Sequence, residues 1–252
     1  AMTTPLLELR DIACLRDGQS VFEDVSLVVN QSDIVVLRGK SGSGKTTLLK
    51  CIAHLIVYQG DVLYRGSTPK SLAAVLLSSH CIVSGIPSFR TRVFYVPQRP
   101  SLLSGTPNDF LKKIAAFGAH QAHAQALKKS GGGPYDPFDR ALDISREWGI
   151  DPQLWDREWS NLSGGEAQRV ALAIAVGLNS AEVLLLDEPT SALDSVSSAA
   201  VERYLLNEVQ ARDATLKAIV WITHSDEQAG RVGTRFVQIE AGGCHEEPTP
   251  VV

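Results

Sequence analysis

The stretch that decides the fold is residues 34–55, which read IVVLRGKSGSGKTTLLKCIAHL. Residues 34–37 are apolar throughout, as expected of a strand that is buried on both faces of a sheet. Glycines within 39–44 end this strand, and from Lys45 to Leu55 the apolar residues follow helical spacing. The stretch therefore predicts a strand, a glycine-rich loop and a helix, in that order.

The loop matches the phosphate-binding pattern G-x-x-x-x-G-K-[ST]. Its glycines let backbone N–H groups turn inward towards an anion, and the helix N-terminus adds a partial positive charge. Lys45 adds a full charge, and the hydroxyl of Thr46 is a ligand for Mg²⁺. A glycine-rich turn with an exposed lysine is the alternative, but the flanking strand and helix favour phosphate binding. The residues predicted to bind here are Gly39, Lys40, Ser41, Gly42, Ser43, Gly44, Lys45, Thr46 and Thr47.

The composition indicates an ordered globular protein. Of 252 residues, 44% are hydrophobic and 21% are charged, which fits one large domain or a domain with a subdomain. The 24 Lys and Arg residues are outnumbered by 28 Asp and Glu residues, so the charge balance argues against nucleic acid as the main partner. No apolar stretch is long enough to span a membrane, and residues 1–5 lack the pattern of a secretory signal. With four scattered cysteines as well, we expect a soluble protein of a reducing compartment, the cytoplasm.

Strand and helix patterns alternate along the chain, which predicts an α/β fold with a mostly parallel sheet wrapped by helices. The predicted strands are residues 6–15, 21–29, 34–37, 93–96, 183–186, 218–222 and 236–239. The predicted helices are residues 45–55, 106–117, 138–149, 163–178 and 196–210. The block 99–165 has helical patterns only, and the polar residues after Gly243 predict a frayed tail.

Two acidic residues end the apolar run that begins at Val183. The carboxyl ends of the strands in such a sheet form the rim where ligands bind, so Asp187 and Glu188 are expected there. Asp187 is predicted to complete the Mg²⁺ shell that Thr46 begins, and Glu188 to orient or deprotonate the water that attacks the γ-phosphate. Alternatively, Asp187 caps the next helix and Glu188 is solvated. The phosphate loop favours the first interpretation, because a triphosphate with Mg²⁺ requires both parts.

A second helix start has features of an anion site. Ser163 and Glu166 have the spacing of a capping box, in which each side chain satisfies a backbone N–H group. Gly164 and Gly165 each cost the helix roughly 1 kcal/mol relative to alanine, and they leave backbone N–H groups open to a ligand. By itself this is only a helix start. Since one nucleotide does not need two such helix ends, we hypothesise that this end faces the γ-phosphate held by a second copy of the chain.

The sequence at this helix resembles the signature motif of ABC-type ATPases, because Leu162-Ser-Gly-Gly-Glu166 is followed by Ala-Gln168-Arg169-Val. The other motifs stand in the family's order: residues 39–46 resemble the Walker A loop, 96–98 the Q-loop, 183–188 Walker B, 191–194 the D-loop and 222–224 the switch histidine. The resemblance covers about residues 6–242. It implies a P-loop NTPase fold of the RecA-like type, with a small antiparallel N-terminal β-subdomain and an inserted α-helical subdomain.

By the same resemblance, residues 6–98 and 166–242 form the nucleotide-binding core, 99–165 the helical subdomain and 243–252 a flexible tail. Gln98 would link Mg²⁺ and the attacking water to the helical subdomain, Asp194 would contact the opposite protomer, and His224 would hydrogen-bond the γ-phosphate. Without the family, Gln98 would be taken for a surface residue and His224 for a structural one. The expected catalytic residues are Lys45, Gln98, Glu188 and His224, and the expected Mg²⁺ ligands are Thr46, Gln98 and Asp187.

One feature of the family is missing. Its members stack an aromatic residue that precedes the Walker A loop on the adenine base, whereas residues 11–20 contain no aromatic side chain. The guanidinium of Arg16 is expected to stack on the base instead; otherwise the base is held loosely, which would weaken the discrimination between ATP and GTP.

These features favour an ATPase subunit that dimerises on two MgATP molecules and powers a separate integral membrane permease from the cytoplasmic face of a membrane. The expected partners are therefore ATP, a second copy of the chain and the permease, with no nucleic acid. The second hypothesis is a soluble ABC ATPase of DNA repair or translation, although such proteins normally carry a long coiled coil or a second ATPase domain. A third is an ATP-binding scaffold without turnover, against which the presence of Glu188 and His224 argues.

Overall fold

The computed structural model describes residues 4–69, 85–100, 104–121, 136–240 and 243–247. The chain divides into two compact units. The first draws on Ala1–Tyr95, Val183–Glu188 and Lys217–Val252, and the second on Val96–Glu182 and Pro189–Leu216. The division into a core and a helical subdomain drawn from the sequence stays a prediction. Across the ranges described, no helix combines the length and the apolar character needed to cross a membrane.

A three-stranded antiparallel sheet forms part of the first unit. Its strands are β1 (Leu7–Arg16), β2 (Gln19–Val29) and β4 (Gln59–Tyr64), in the order β2-β1-β4. Asp17 and Gly18 join β1 to β2 with φ angles of 53° and 78°, the positive values that a two-residue type I′ hairpin turn requires. This is the small antiparallel sheet that the resemblance implies, and that expectation is confirmed.

A larger sheet has the strand order β5-β6-β7-β3-β8-β9. Its strands are β3 (Ile34–Arg38), β5 (Val93–Val96), β6 (Val183–Asp187), β7 (Ala218–Ile222), β8 (Arg235–Glu240) and β9 (Gly243–Glu247). Strand β3 pairs in parallel with β7 and β8, and β6 pairs in parallel with β7. Every residue of β6 and β7 is buried, which explains their apolar sequences. The predicted mostly parallel sheet is confirmed, and its parallel strands end at one common edge.

Three helices accompany these sheets in the described part of the first unit: α1 (Lys45–Ile52), α2 (Ile86–Arg92) and α7 (Asp226–Val232). Helix α1 ends earlier than the predicted Leu55. His54 adopts a left-handed backbone conformation with φ of 54°, and Arg90 donates hydrogen bonds to the carbonyl oxygens of Ala53 and His54. These bonds satisfy carbonyl groups that the helix end would otherwise leave open.

The second unit is helical over most of its described residues. Its helices are α3 (Pro107–Ala115), α4 (Pro137–Glu147), the 3₁₀ turns Pro152–Asp156 and Trp159–Asn161, α5 (Gly164–Gly177) and α6 (Ser195–Gln210). Helices α4 and α5 approach closely at Gly177, where an added Cβ would lie 2.6 Å from that of Ala141. Trp155 and Trp159 are fully buried in this unit. The helices predicted here agree with the observed bounds to within two residues.

The end of the chain differs from the prediction. Residues Gly243–Glu247 do not fray but form β9, which pairs antiparallel with β8. Arg235 of β8 donates to both carboxylate oxygens of Glu246, at 2.6 and 2.9 Å. The expectation of a frayed tail is therefore wrong for 243–247, because a cross-strand ion pair compensates for the scarcity of apolar residues. The strand and helix patterns of the sequence also do not predict strand β4 or helices α2 and α7.

Candidate functional site

The loop between β3 and α1 can be formed only by glycine at two positions. Gly44 has a φ of 95°, and an added Cβ would lie 2.8 Å from side-chain atoms of both Val21 and Phe22. At Gly39, which has a φ of 146°, an added Cβ would lie 2.7 Å from the carbonyl oxygen of Ile239. Strands β2 and β8 thus press against the loop, and any side chain at these positions would push the backbone out of place.

Lys45 lies inside this loop rather than in solvent. Its Nζ donates to the carbonyl oxygens of Gly39 and Lys40, at 2.7 and 3.0 Å, and the residue is 6% exposed. Burial lowers the pKa of Lys45, while the nearby carboxylates of Glu188 and Asp187 act in the opposite direction. The ammonium group is therefore held within the loop by hydrogen bonds to two carbonyl oxygens, and an anion bound there could replace these acceptors.

Asp187 lies at the end of β6 with hydrogen bonds to both of its carboxylate oxygens. Oγ1 of Thr46 donates to Oδ1 at 3.1 Å, and the hydroxyl of Tyr95 donates to Oδ2 at 3.1 Å. Asp187 itself is 4% exposed. The prediction brought Thr46 and Asp187 together, and they are in contact. Tyr95 was not predicted, although it stands three residues before Gln98 in the predicted strand 93–96.

Glu188 turns the chain where β6 ends. Its φ is 48°, and its backbone N–H donates to the carbonyl oxygen of Ile222 at 3.1 Å. Its Oε1 lies 3.0 Å from Nε2 of His224, within hydrogen-bond distance of the imidazole. The left-handed conformation is rare for a side chain of this size, and here it accompanies the contact of Glu188 with His224.

Lys45, Thr46, Glu188 and His224 line one pocket of the first unit, with a volume of about 640 Å³. Its lining residues are 16, 17, 19–21, 41–47, 188, 222 and 224. The predicted site residues Gly39, Lys40 and Asp187 are not among its lining residues. The phosphate loop, Glu188 and His224 thus line one pocket together with the β1–β2 hairpin. Arg16 belongs to the hairpin wall, where its side chain is 81% exposed and its Nε lies 3.9 Å from the carboxylate of Asp17.

The second unit contains the predicted helix start. Oγ of Ser163 accepts from the N–H of Glu166 at 3.3 Å, and Glu166 Oε2 accepts from the N–H of Ser163 at 2.7 Å. The hydrogen bonds that the Glu166 carboxylate accepts from Ser163, first from its backbone N–H and second from its side chain, hold the pKa of Glu166 below its ordinary value. An added Cβ on Gly165 would lie 2.8 Å from the carbonyl oxygen of Ala192. The capping box is as predicted, and Gly165 has a packing role that the sequence did not reveal.

Asp194 and Gln98 also lie in the second unit. The Asp194 carboxylate caps α6 by accepting from the N–H groups of Val196 and Ser197 at 3.0 and 2.9 Å, and the bonds from Ser197 are the main cause of its lowered pKa. The carbonyl oxygen of Gln98 accepts a hydrogen bond from the side chain of Gln168 at 2.9 Å.

Gln168 stands in the quoted signature sequence but was not predicted as a site residue. No sequence pattern indicates which distant backbone groups a buried side-chain amide will contact.

Comparison with known proteins agrees with this arrangement of motifs. The family model described as ABC transporter matches residues 22–191. The phosphate import ATP-binding protein PstB 1 of Streptococcus pyogenes is 32% identical over 239 residues, which cover 93% of this chain and 86% of that protein. The spermidine/putrescine import ATP-binding protein PotA of Legionella pneumophila is 30% identical over 250 residues; the match covers 99% of this chain and 60% of that longer protein.

Solved structures of similar fold include a dimeric, post-hydrolysis ATP-binding cassette bound to ADP and Pi, with a TM-score of 0.73 at 23% identity over 98% of this chain and all of that one. Another is the ATP-binding subunit of an ABC transporter, with a TM-score of 0.72 at 25% identity over 96% of this chain and 89% of that one. The family resemblance and the P-loop NTPase fold expected from the sequence are thereby confirmed. The chain belongs to the ABC transporter family and is one of its ATP-binding ATPases.

Proposed function

We propose that this protein binds MgATP in the pocket of the first unit, dimerises on it, and couples its hydrolysis to a separate membrane permease. The observation that carries the proposal is the 3.1 Å hydrogen bond between Thr46 and Asp187. It places a hydroxyl from the end of the phosphate loop beside a carboxylate from the end of β6. The buried Lys45 and the Glu188–His224 pair line the same edge of the sheet.

The residues present fit a magnesium-bound triphosphate. Thr46 and Asp187 supply the hydroxyl and carboxylate oxygens that Mg²⁺ prefers. Ser43 has a buried hydroxyl with no hydrogen-bond partner among the described residues, which a phosphate oxygen would satisfy. Gly39 and Gly44 leave the backbone free of Cβ atoms where the loop is most crowded. When bound, Mg²⁺ would neutralise charge that develops on the phosphate oxygens, with Gln98 as a further ligand.

The chain's own groups account for the chemistry of hydrolysis. Lys45 exchanges its carbonyl partners for phosphate oxygens and holds the terminal phosphates by charge. Glu188 accepts a proton from the water that attacks the γ-phosphate, and its orientation is fixed by His224. To His224 we assign a hydrogen bond to the γ-phosphate.

The start of α5 supports a shared site. Ser163, Gly164, Gly165 and Glu166 present a helix N-terminus, which favours negative charge. We assign to it the γ-phosphate of a nucleotide bound by a second copy, with Asp194 contacting that copy. A solved structure of the same fold, dimeric and bound to ADP and Pi, is consistent with this arrangement.

The names of the relatives favour a role in transport. PstB 1 and PotA are ATP-binding proteins of import systems. By analogy, the protein would sit at the cytoplasmic face of a membrane, held there by its permease. Residues 98–114 are the stretch we assign to contact with that partner. No nucleic-acid partner is proposed, since the acidic net charge of −4 does not favour one.

Arg16 is the residue we assign to the nucleobase. It lines the pocket beside the phosphate loop on the β1–β2 hairpin. A guanidinium stacked on a purine gives affinity with little base selectivity. In competition assays, Arg16→Ala should weaken binding of ATP and GTP; an unchanged affinity for both would remove Arg16 from the site.

Phosphate release by the wild type and by Glu188→Gln tests the hydrolytic part. We expect Glu188→Gln to lose activity by about 100-fold or more while it still binds a fluorescent ATP analogue with Mg²⁺. Glu158→Gln, the same change at an exposed residue of the second unit, is the matched control and should leave the rate unchanged. Equal rates in all three proteins would exclude Glu188 as the base.

Sedimentation and purification test the partners. Glu188→Gln should double its mass in MgATP and remain a monomer without nucleotide; a monomer under both conditions would contradict the shared site. From native membranes, tagged Glu188→Gln should co-purify with an integral membrane protein, whereas co-purification of a DNA-repair or translation complex would favour the soluble alternative.

A further inference from the structure

Gln168 lies on α5, one turn after the glycines of its start, and the residue is 4% exposed. Its Nε2 donates to the carbonyl oxygen of Gln98 at 2.9 Å and to Oγ of Ser191 at 3.2 Å. Its Oε1 accepts from the backbone N–H of Ala192 at 3.1 Å. One buried side chain therefore joins α5 to two segments that are distant from it in sequence.

The chemistry of this contact requires an amide. The Gln98 carbonyl and Oγ of Ser191 accept from an N–H group, whereas the Ala192 N–H donates, so the side chain must offer both functions at one end. Leucine fills a similar volume but offers neither. Glutamate keeps the acceptor but has no donor for the carbonyl of Gln98, and it would bring a charge into a buried site.

The loop at 191–192 is also fixed by a second residue of α5. Gly165 lies one turn before Gln168 on the same helix face, and an added Cβ there would lie 2.8 Å from the carbonyl oxygen of Ala192. The loop therefore packs directly against α5 at Gly165 and hydrogen-bonds to it at Gln168. Asp194, which caps α6, follows this loop by two residues.

We propose that Gln168 is a positioning residue that holds Gln98 and the 191–194 loop against α5. It thereby fixes the positions of Gln98, Asp194 and the helix start at Ser163 relative to one another. Its hydrogen bonds reach backbone groups of both segments, and the proposal rests on the functions assigned above to Gln98, Asp194 and Ser163. Gln168 does not touch the nucleotide. Its loss should affect turnover through misplacement and leave nucleotide affinity nearly intact, because Lys45 and the phosphate loop belong to the first unit.

Hydrogen–deuterium exchange of the nucleotide-free protein tests whether Gln168 holds the two segments against α5. In Gln168→Leu, backbone exchange should accelerate in peptides that contain residues 96–100 and 189–194, and should stay unchanged in the peptide that contains 39–46. Gln153→Leu, at an exposed glutamine of the same unit, is the control and should change none of them. Unaltered exchange at both segments in Gln168→Leu would overturn the proposal. If Gln168→Leu does not fold, Ser191→Ala removes the contact to Oγ of Ser191 and should accelerate exchange at 189–194.

Steady-state kinetics test the consequence. Gln168→Leu should lower kcat about tenfold, with KM for ATP within twofold of the wild type. In a Gln98→Ala background the same change should lower kcat by clearly less than tenfold, because the part of the effect that passes through the Gln98 side chain is gone while the part that passes through the 191–194 loop remains. The proposal would be overturned if the reductions in kcat of Gln168→Leu and Gln98→Ala multiplied fully in the double variant. It would also be overturned if Gln168→Leu raised KM without lowering kcat. A wild type that releases no phosphate would instead overturn the proposed function, and the exchange experiment would still decide whether Gln168 ties the segments.

Discussion

The hydroxyl of Tyr95 donates a hydrogen bond to Oδ2 of Asp187 at 3.1 Å, on the side of the carboxylate opposite to the oxygen that Thr46 holds. Burial is the main reason that the pKa of Tyr95 is raised, with Asp187 as the second cause, so the phenol stays protonated and can donate at neutral pH. Asp187 is a proposed Mg²⁺ ligand, and partners behind a metal ligand usually fix its orientation. Tyr95 is thus placed to keep Oδ1 of Asp187 turned towards Thr46.

Tyr95→Phe retains the ring and removes only the hydroxyl. We expect the affinity for Mn²⁺, used in place of Mg²⁺ in the presence of ATP, to fall about tenfold, because the carboxylate loses its second anchor. Free Mn²⁺ measured by electron paramagnetic resonance gives the affinity directly. Tyr204→Phe, at a half-buried tyrosine of the second unit, should bind Mn²⁺ like the wild type. The same affinity in all three proteins would exclude the positioning role of Tyr95.

Gly44→Ala should damage both the loop and the fold. Its φ of 95° and the 2.8 Å approach to Val21 and Phe22 leave no place for a Cβ. We expect the free energy of unfolding to fall by about 1–3 kcal/mol and binding of a fluorescent ATP analogue to be lost. Denaturant titration and fluorescence anisotropy measure the two effects.

Gly230→Ala is the matched control for that change. Gly230 lies within α7 with open space around its Cα, so alanine there should raise the free energy of unfolding by about 0.5–1 kcal/mol. Two variants of equal stability would contradict the steric argument at Gly44.

His54 makes stability depend on pH. Its pKa is lowered from 6.5 to about 4, first by burial and second by the positive charge of Arg90, which donates to the carbonyl oxygen of His54 at 2.6 Å. Its Nδ1 lies 2.8 Å from the hydroxyl of Tyr58. The unfolded chain binds a proton at His54 below pH 6.5, whereas the folded protein binds it only near pH 4. The stabilisation is therefore complete above pH 6.5 and is lost as the pH falls towards 4.

His54→Asn should reduce this pH dependence, since asparagine does not titrate and tolerates the left-handed backbone at this position. We expect the drop in unfolding free energy between pH 7 and pH 4 to become smaller by about 1–2 kcal/mol, a value that allows for solvent screening of a half-buried group. Denaturant titrations at several pH values measure it, and His245→Asn, at an exposed residue of β9, should keep the slope of the wild type. An equal slope in His54→Asn would contradict the assignment.

Arg235 stabilises the last strand. Besides Glu246, its guanidinium contacts Asp33 at 2.6 Å and the carbonyl oxygen of Val28 at 2.7 Å. Arg235→Lys should lower the free energy of unfolding by about 1–2 kcal/mol, because an ammonium group cannot reproduce the paired bonds. Arg231→Lys, in the exposed pair with Glu227, should change it by no more than about 0.5 kcal/mol. Backbone amide exchange in β9 should be faster in Arg235→Lys and unchanged in Arg231→Lys.

The nucleotide site is readable from sequence where its residues are close together in the chain. A strand, a glycine loop and a helix are local patterns, and so is an apolar strand that ends in Asp187 and Glu188. The meeting of Thr46 with Asp187 was also predictable, because the carboxyl ends of parallel strands share one edge. Gln98 and His224 became candidates only through the family resemblance.

Two features of the structure could not be predicted from local sequence patterns. Strand β9 has a polar sequence that resembles a tail, and only its pairing with β8 and the Arg235–Glu246 contact make it a strand. Tyr95 and Gln168 look like ordinary residues of a strand and a helix. Their roles depend on partners 92 and 70 residues away, which no local pattern encodes.

By itself, the sequence determined the α/β fold, the phosphate loop and the family, because hydrophobic periodicity and glycine placement act over a few neighbouring residues. Tertiary structure alone decided which atoms meet: that Glu188 turns to His224, that Asp187 is held from both sides, and that the amide of Gln168 joins two distant segments. A hydrogen bond requires its donor and acceptor to lie within about 3.5 Å of each other, and such distances arise only when the whole chain packs.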